Sequence, residues 1–107
     1  MKSCILALSA ILLLMPSVQA HAAKLKMVCE SPRREYLLTY DETTKTMYAD
    51  KTLYRVLAVE KTQKKLVVVG LTVNDGPTFR AHFLPYKKIE FFSDNQLIQT
   101  DGCRSTK

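Results

Sequence analysis

The chain has 107 residues, 47% of them hydrophobic, and sixteen Lys and Arg stand against ten Asp and Glu for a formal net charge of +6. That length fits one small domain, and the apolar fraction excludes an intrinsically disordered chain. Three glycines only, Gly70, Gly76 and Gly102, leave no phosphate-cradling glycine-rich loop.

The first segment, MKSCILALSAILLLMPSVQAHAAK, has the layout of a secretory signal peptide. Lys2 supplies the positive start. The apolar run from Ile5 to Met15 is broken only by Ser9, and small-x-small sites follow at Val18-Gln19-Ala20 and Ala20-His21-Ala22. The run falls short of the roughly 20 residues a membrane-spanning helix needs. Cleavage is expected after Ala22, with Ala20 the neighbouring choice and an uncleaved N-terminal anchor the alternative. The expectation is therefore a signal peptide over 1–22 and a single small domain over 23–107, with no transmembrane segment after processing. Cys4 precedes the apolar run, and Cys29 follows Lys26-Met27-Val28 without the small residue that lipoprotein processing wants, so no lipid anchor is expected.

Loss of Lys2 leaves fifteen Lys and Arg against ten Asp and Glu, a formal +5 on 85 residues. A domain of that size buries a modest core and is commonly helped by a covalent staple. Once Cys4 leaves with the leader, two cysteines remain, Cys29 and Cys103. In an oxidising compartment such a pair reads as a disulfide. It would enclose about 75 residues, for which the chain-entropy estimate is about 4 kcal/mol.

Eight short β segments separated by polar turns follow in order. LKMVC (25–29) is the first, and Ser31-Pro32 breaks it. REYLLTYD (34–41) places Tyr36, Leu38 and Tyr40 at period two, and the turn DETTK leads to KTMYA (45–49). TLYRVLAVEK (52–61) is apolar on both faces, which predicts a central strand or a register-shifting bulge. KLVVVGLTV (65–73) is the most β-branched stretch, and Gly70 in it marks a bulge or a close backbone approach. After the turn NDGP, TFRAHFL (78–84) sets Phe79, Ala81 and Phe83 on one side and Arg80 and His82 on the other. PYKK leads into IEFFS (89–93), Asp94-Asn95 forms a tight turn, and QLIQT (96–100) brings the chain to Cys103. No segment holds an apolar stripe at period 3.6 over three turns. The predicted fold is all-β, a small antiparallel meander or barrel of about eight short strands, closed by the Cys29–Cys103 disulfide.

Catalytic signals are thin. If cleavage follows Ala22, His82 is the one remaining histidine, and no carboxylate is placed beside it by spacing. With both cysteines oxidised, a zinc site would rest on carboxylates, an unusual donor set for structural zinc. No metal, cofactor or catalytic residue is expected. The basic doublets Arg33-Arg34, Lys64-Lys65 and Lys87-Lys88 all lie at or beside turns, where a fold could gather some of them at one rim and attract anions. PTFRAHFLPYKKIEFF (77–92) concentrates aromatic and cationic residues, and Arg80, His82, Tyr86, Lys87, Lys88 and Phe92 are its candidate contact patch.

An N-terminal signal, a cysteine in the first strand (Cys29) and its partner near the end (Cys103) resemble the layout of small exported β proteins of Gram-negative bacteria. In outline the chain is similar to the periplasmic inhibitors of c-type lysozyme. It lacks that family's serine-glycine inhibitory loop, since its glycines sit in VVGLT, NDGP and TDGC. A basic chain is also poorly suited to a strongly basic lysozyme, and no residue role carries over.

The functional expectation is a non-enzymatic, periplasmic or secreted binding or envelope-associated protein, with an anionic envelope component or a protein as partner and nucleic acid removed by export. The alternatives are a small ligand-binding or hydrolase-like barrel using His82 and a purely structural periplasmic domain. An unpaired edge strand would support a homodimer, and a closed barrel would weaken that case. Intact mass of the exported protein is expected to start at Ala23, with no thiol alkylated before reduction and two after it. A full-length mass or free thiols would refute this processing scheme.

Overall fold

Side chains that alternate along each strand divide this chain into an inside and an outside. The computed structural model describes residues 24–106, and the expected leader and its cleavage site lie outside the described residues. Strands β1 (Lys24–Glu30), β2 (Glu35–Asp41), β3 (Thr46–Ala49), β4 (Thr52–Lys61), β5 (Leu66–Leu71), β6 (Thr78–Leu84), β7 (Lys88–Ser93) and β8 (Gln96–Ser105) follow one another. Each pairs antiparallel with the next, and β8 returns to β1, so the sheet closes into an eight-stranded barrel. Each connection reverses the chain. The turns 31–34, 50–51, 72–77 and 94–95 therefore share one end, and 42–45, 62–65 and 85–87 share the other.

The inward set follows period two: Met27 and Cys29, then Tyr36, Leu38 and Tyr40, Met47 and Ala49, Leu66 and Val68, Phe79, Ala81 and Phe83, and Ile89. Burial of each large apolar side chain contributes about 1.5–3 kcal/mol relative to exposure. Aromatic rings fill the middle, with Tyr54 and Phe79 tilted at a centroid distance of 5.3 Å and Tyr40 and Phe83 at 6.3 Å.

Closure and cross-linking occur at one place. Cys29 lies directly opposite Cys103 in the β1–β8 ladder, their Cα atoms 4.0 Å apart, and the disulfide joins residues separated by 74 positions. The last strand runs further than the pattern of 96–100 suggested. β8 continues to Ser105 because β1 offers it partners from Glu30 down to Met27. The polar residues Asp101, Gly102 and Arg104 had hidden that extension in the sequence.

Of the two forms expected for β4 the structure shows the bulge, and β5 ends earlier than expected. β4 is apolar on both faces because of a bulge, which shifts its register against β5 between Val56 and Ala58. It is not a buried central strand, since most of its residues are exposed. β5 stops at Leu71 because Thr72 turns both its N–H and its Oγ1 toward the Pro77 carbonyl, at 3.1 and 2.9 Å.

Turn chemistry explains the short connections. Asp41 Oδ1 accepts from the N–H of Thr43 at 2.8 Å and holds the β2–β3 turn. Asp94 and Asn95 both take positive φ, 52° and 64°. Two consecutive left-handed residues give the mirror-image turn that suits the twist of a two-residue hairpin.

Gly70 is a close backbone approach. A Cβ there would stand 1.9 Å from the Arg55 carbonyl oxygen and 3.0 Å from Phe79 Cε2, whereas a Cβ on Gly102 meets nothing within 4 Å. Gly70→Ala is therefore expected to cost at least about 1–3 kcal/mol, and Gly102→Ala to stay within about 0.5 kcal/mol of the parent. Urea unfolding of the two variants checks the contrast, and equal losses would refute it.

Candidate functional site

The six residues of the sequence-derived patch divide between two places. Arg80 and His82 on β6 and Lys88 and Phe92 on β7 share the outer face of the barrel, as the register pairs Thr78↔Phe92, Arg80↔Glu90 and His82↔Lys88 require. Tyr86 and Lys87 lie in the β6–β7 turn, at the end of the barrel.

On the outer face the cations are already paired. His82 Nε2 lies 2.8 Å from Glu90 Oε1, both side chains are 19% exposed, and Lys88 Nζ stands 3.6 Å from the other Glu90 oxygen. Arg80 turns away from this pair to Glu60 at 3.3 Å, and Lys65 reaches the same carboxylate at 3.2 Å. Beneath them lies Val67, fully buried although β5 places it on the outer face, opposite Glu60 and His82. The polar cluster acts as a lid over an apolar spot that alternation alone would have left wet. Burial by itself raises the Glu90 pKa, but the His82 hydrogen bond and the charges of His82 and Lys88 outweigh it and hold the carboxyl below the usual range.

The basic turns at the barrel end form a second cluster. Leu66 pairs with Leu84, which sets the turns 62–65 and 85–87 side by side. Two of the three basic doublets, Lys64-Lys65 and Lys87-Lys88, therefore gather at one end. Arg33-Arg34 goes to the other, where Arg34 meets Asp50 at 2.6 Å. Lys87 fixes its turn, because its Nζ donates to the Phe83 carbonyl at 3.0 Å and its own carbonyl accepts from the N–H of Cys103 at 3.1 Å. Tyr86 projects beside it, 79% exposed, with Leu84 42% exposed. Among the described residues neither Lys64 nor Lys87 has a carboxylate within 4 Å.

The opposite end holds a feature that sequence reasoning missed. Asp101 is 2% exposed, accepting a hydrogen bond from the Tyr36 hydroxyl and one from Gln99 Nε2 at 2.8 Å. Burial, followed by the hydrogen bond and charge of Asp101, pushes the Tyr36 hydroxyl well up from its ordinary value and keeps it protonated as a donor. The two clefts at this mouth, about 360 and 200 Å³, share Tyr54, Phe91 and Gln99 in their walls. The signal for Asp101 was its spacing, two residues before Cys103 and so on the same inward face. It was missed because the strand was ended at residue 100.

Among the described residues, no three His, Cys, Asp or Glu side chains are grouped to hold a metal ion. Compared with protein-family models, curated proteins and solved structures, the chain matches none of them. Function is accordingly read from the geometry of these clusters.

The His82–Glu90 pair gives a pH test. Because the folded pKa of Glu90 is lowered, its contribution to stability is complete above the unfolded-state value of about 4.3. It is lost as pH falls through the lower folded value. Glu90→Gln is expected to be less stable than the parent at pH 7, with the gap closing below about pH 4. Urea midpoints across pH check this, and a gap that stays constant with pH would refute it.

Proposed function

We propose that this domain is a non-enzymatic, exported binding protein that engages an anionic envelope surface through its basic turn end. The observation that carries the reading is the Leu66↔Leu84 pairing, which sets the turn that bears Lys64 and Lys65 beside the turn that bears Lys87 and the exposed Tyr86. Lysines raised on adjacent turns add their fields, and each contributes about 1 kcal/mol of attraction near an anionic lipid surface. An aromatic ring with a polar tip suits the boundary between such a surface and water. Export is supported by the leader pattern and by the Cys29–Cys103 disulfide, since disulfides persist in oxidising compartments.

The alternative use of His82 as a base in a small hydrolase-like or ligand-binding barrel has one supporting observation, its 2.8 Å contact with Glu90. That pair sits on the outer face of the barrel above Val67, and Arg80 is drawn to Glu60 instead of converging with it. The basic turn end therefore has the better support.

Cosedimentation with phosphatidylglycerol vesicles tests the reading. Binding is expected to weaken steeply with salt and to be absent on neutral phosphatidylcholine vesicles. Replacing both Lys64 and Lys87 by Gln is expected to weaken it by about 2 kcal/mol, roughly thirtyfold. Equal binding to both vesicle types, or indifference to salt, would refute the proposal.

A further inference from the structure

β4 is ten residues long and β3 is four, and the mismatch leaves an open strand edge within the closed barrel. β3 pairs with β4 only through Met47↔Tyr54, Tyr48↔Leu53 and Ala49↔Thr52. Beyond Tyr54 the β3–β4 pairing stops, while residues 55, 56 and 58–61 continue to pair with β5 on their other side. Backbone groups on that side form an unpaired row, the template on which another strand can add.

A cleft of about 560 Å³ meets the start of this edge, at Arg55 and Val56. It opens at Lys45 and Thr46, where β3 runs out, and takes in Leu53, Tyr54, Arg55 and Val56 before reaching the β5–β6 loop. Tyr54 and Val56 belong to the inward-facing set that packs against the core, while Leu53 and Arg55 alternate with them. On β3 and β4, Tyr48, Leu53 and Leu57 are 40%, 54% and 55% exposed. Among the described residues neither Lys45 nor Arg55 has a carboxylate within 4 Å, and Asp75 at the far end is the one acid in the lining.

We propose that the 55–61 edge of β4 binds an extended, acidic peptide segment of a partner protein by strand addition. A compact ligand would leave most of the backbone row unmet, so the row selects an extended polypeptide. The free cations at the start of the edge select acidic side chains. A second copy of this basic chain would instead bring its own Lys45 and Arg55 to the contact. The bulge at Leu57 interrupts the edge near its start, and the Lys61–Glu42 ion pair, 3.0 Å long, closes its far end. Such interruptions blunt indiscriminate pairing. This surface is distinct from the basic turn end centred on Tyr86.

The test titrates a capped seven-residue peptide of alternating Glu and Val into the disulfide-bonded protein while amide hydrogen exchange is followed. Saturating peptide is expected to slow exchange within 55–61 at least tenfold. The same peptide N-methylated at alternate residues, and a Lys-Val counterpart, are each expected to bind at least tenfold more weakly. Arg55→Glu, an exposed substitution, is expected to reverse the preference between the Glu and Lys peptides. Absence of protection within 55–61, or equal binding by the N-methylated peptide, would overturn the proposal. Protection of the same amides on concentrating the protein alone, with a doubled solution mass, would assign the edge to a second copy and overturn it as well.

Discussion

The meeting of β1 with β8 is the constraint on which this small barrel depends. β1 is the first strand described and β8 the last, so their ladder brings together the two ends of the described segment, and its cost in chain entropy is correspondingly large. The disulfide removes most of that cost from folding by limiting the unfolded ensemble. It sits within a row across three strands, because Tyr36 on β2 stands opposite Cys29 and Cys29 opposite Cys103. Tyr36 then reaches Asp101 on β8, so a buried hydrogen bond and a covalent bond hold the same three strands at neighbouring levels. The carboxylate tolerates burial because both of its oxygens receive donors.

Charge is distributed in keeping with this closure. Acidic residues on the outer face are engaged: Glu60 by Lys65 and Arg80, Glu90 by His82 and Lys88. These pairs cover the middle of the barrel and leave part of the positive excess at the turns. Lys64 and Lys87 at one end, and Arg33 at the other, carry part of that excess. The apolar outer residues follow a different logic. Val67 is buried beneath a polar lid, whereas Leu53 and Leu57 stay exposed beside the open part of β4.

Much of this was legible because period two is a strong signal where one face is buried. Tyr36, Leu38 and Tyr40, and likewise Phe79, Ala81 and Phe83, declared their inward face from spacing alone, and the turns at Asp41, Asn74-Asp75 and Asp94-Asn95 punctuated the strands. The cysteine pair followed from counting. What escaped were features created by neighbours distant in sequence. The continuation of β8 depends on β1, the burial of Val67 depends on side chains from β4, β6 and β7, and the open edge of β4 depends on β3 being short. The candidate patch was read as a unit from adjacency in the chain. The hairpin divided it, keeping Tyr86 and Lys87 in the turn and committing Arg80 and His82 to carboxylates.

The position of the disulfide also governs how the domain responds to being pulled. Cys29 and Cys103 lie close to the two ends of the described residues, opposite one another in the same ladder. Tension applied outside this pair passes from one sulfur to the other and bypasses the chain between them, the two cysteines being 74 positions apart. The barrel would then extend hardly at all under force while oxidised. Reduction would reroute the same force through the β1–β8 hydrogen bonds, and a mechanically inert domain would become one that unravels from its seam.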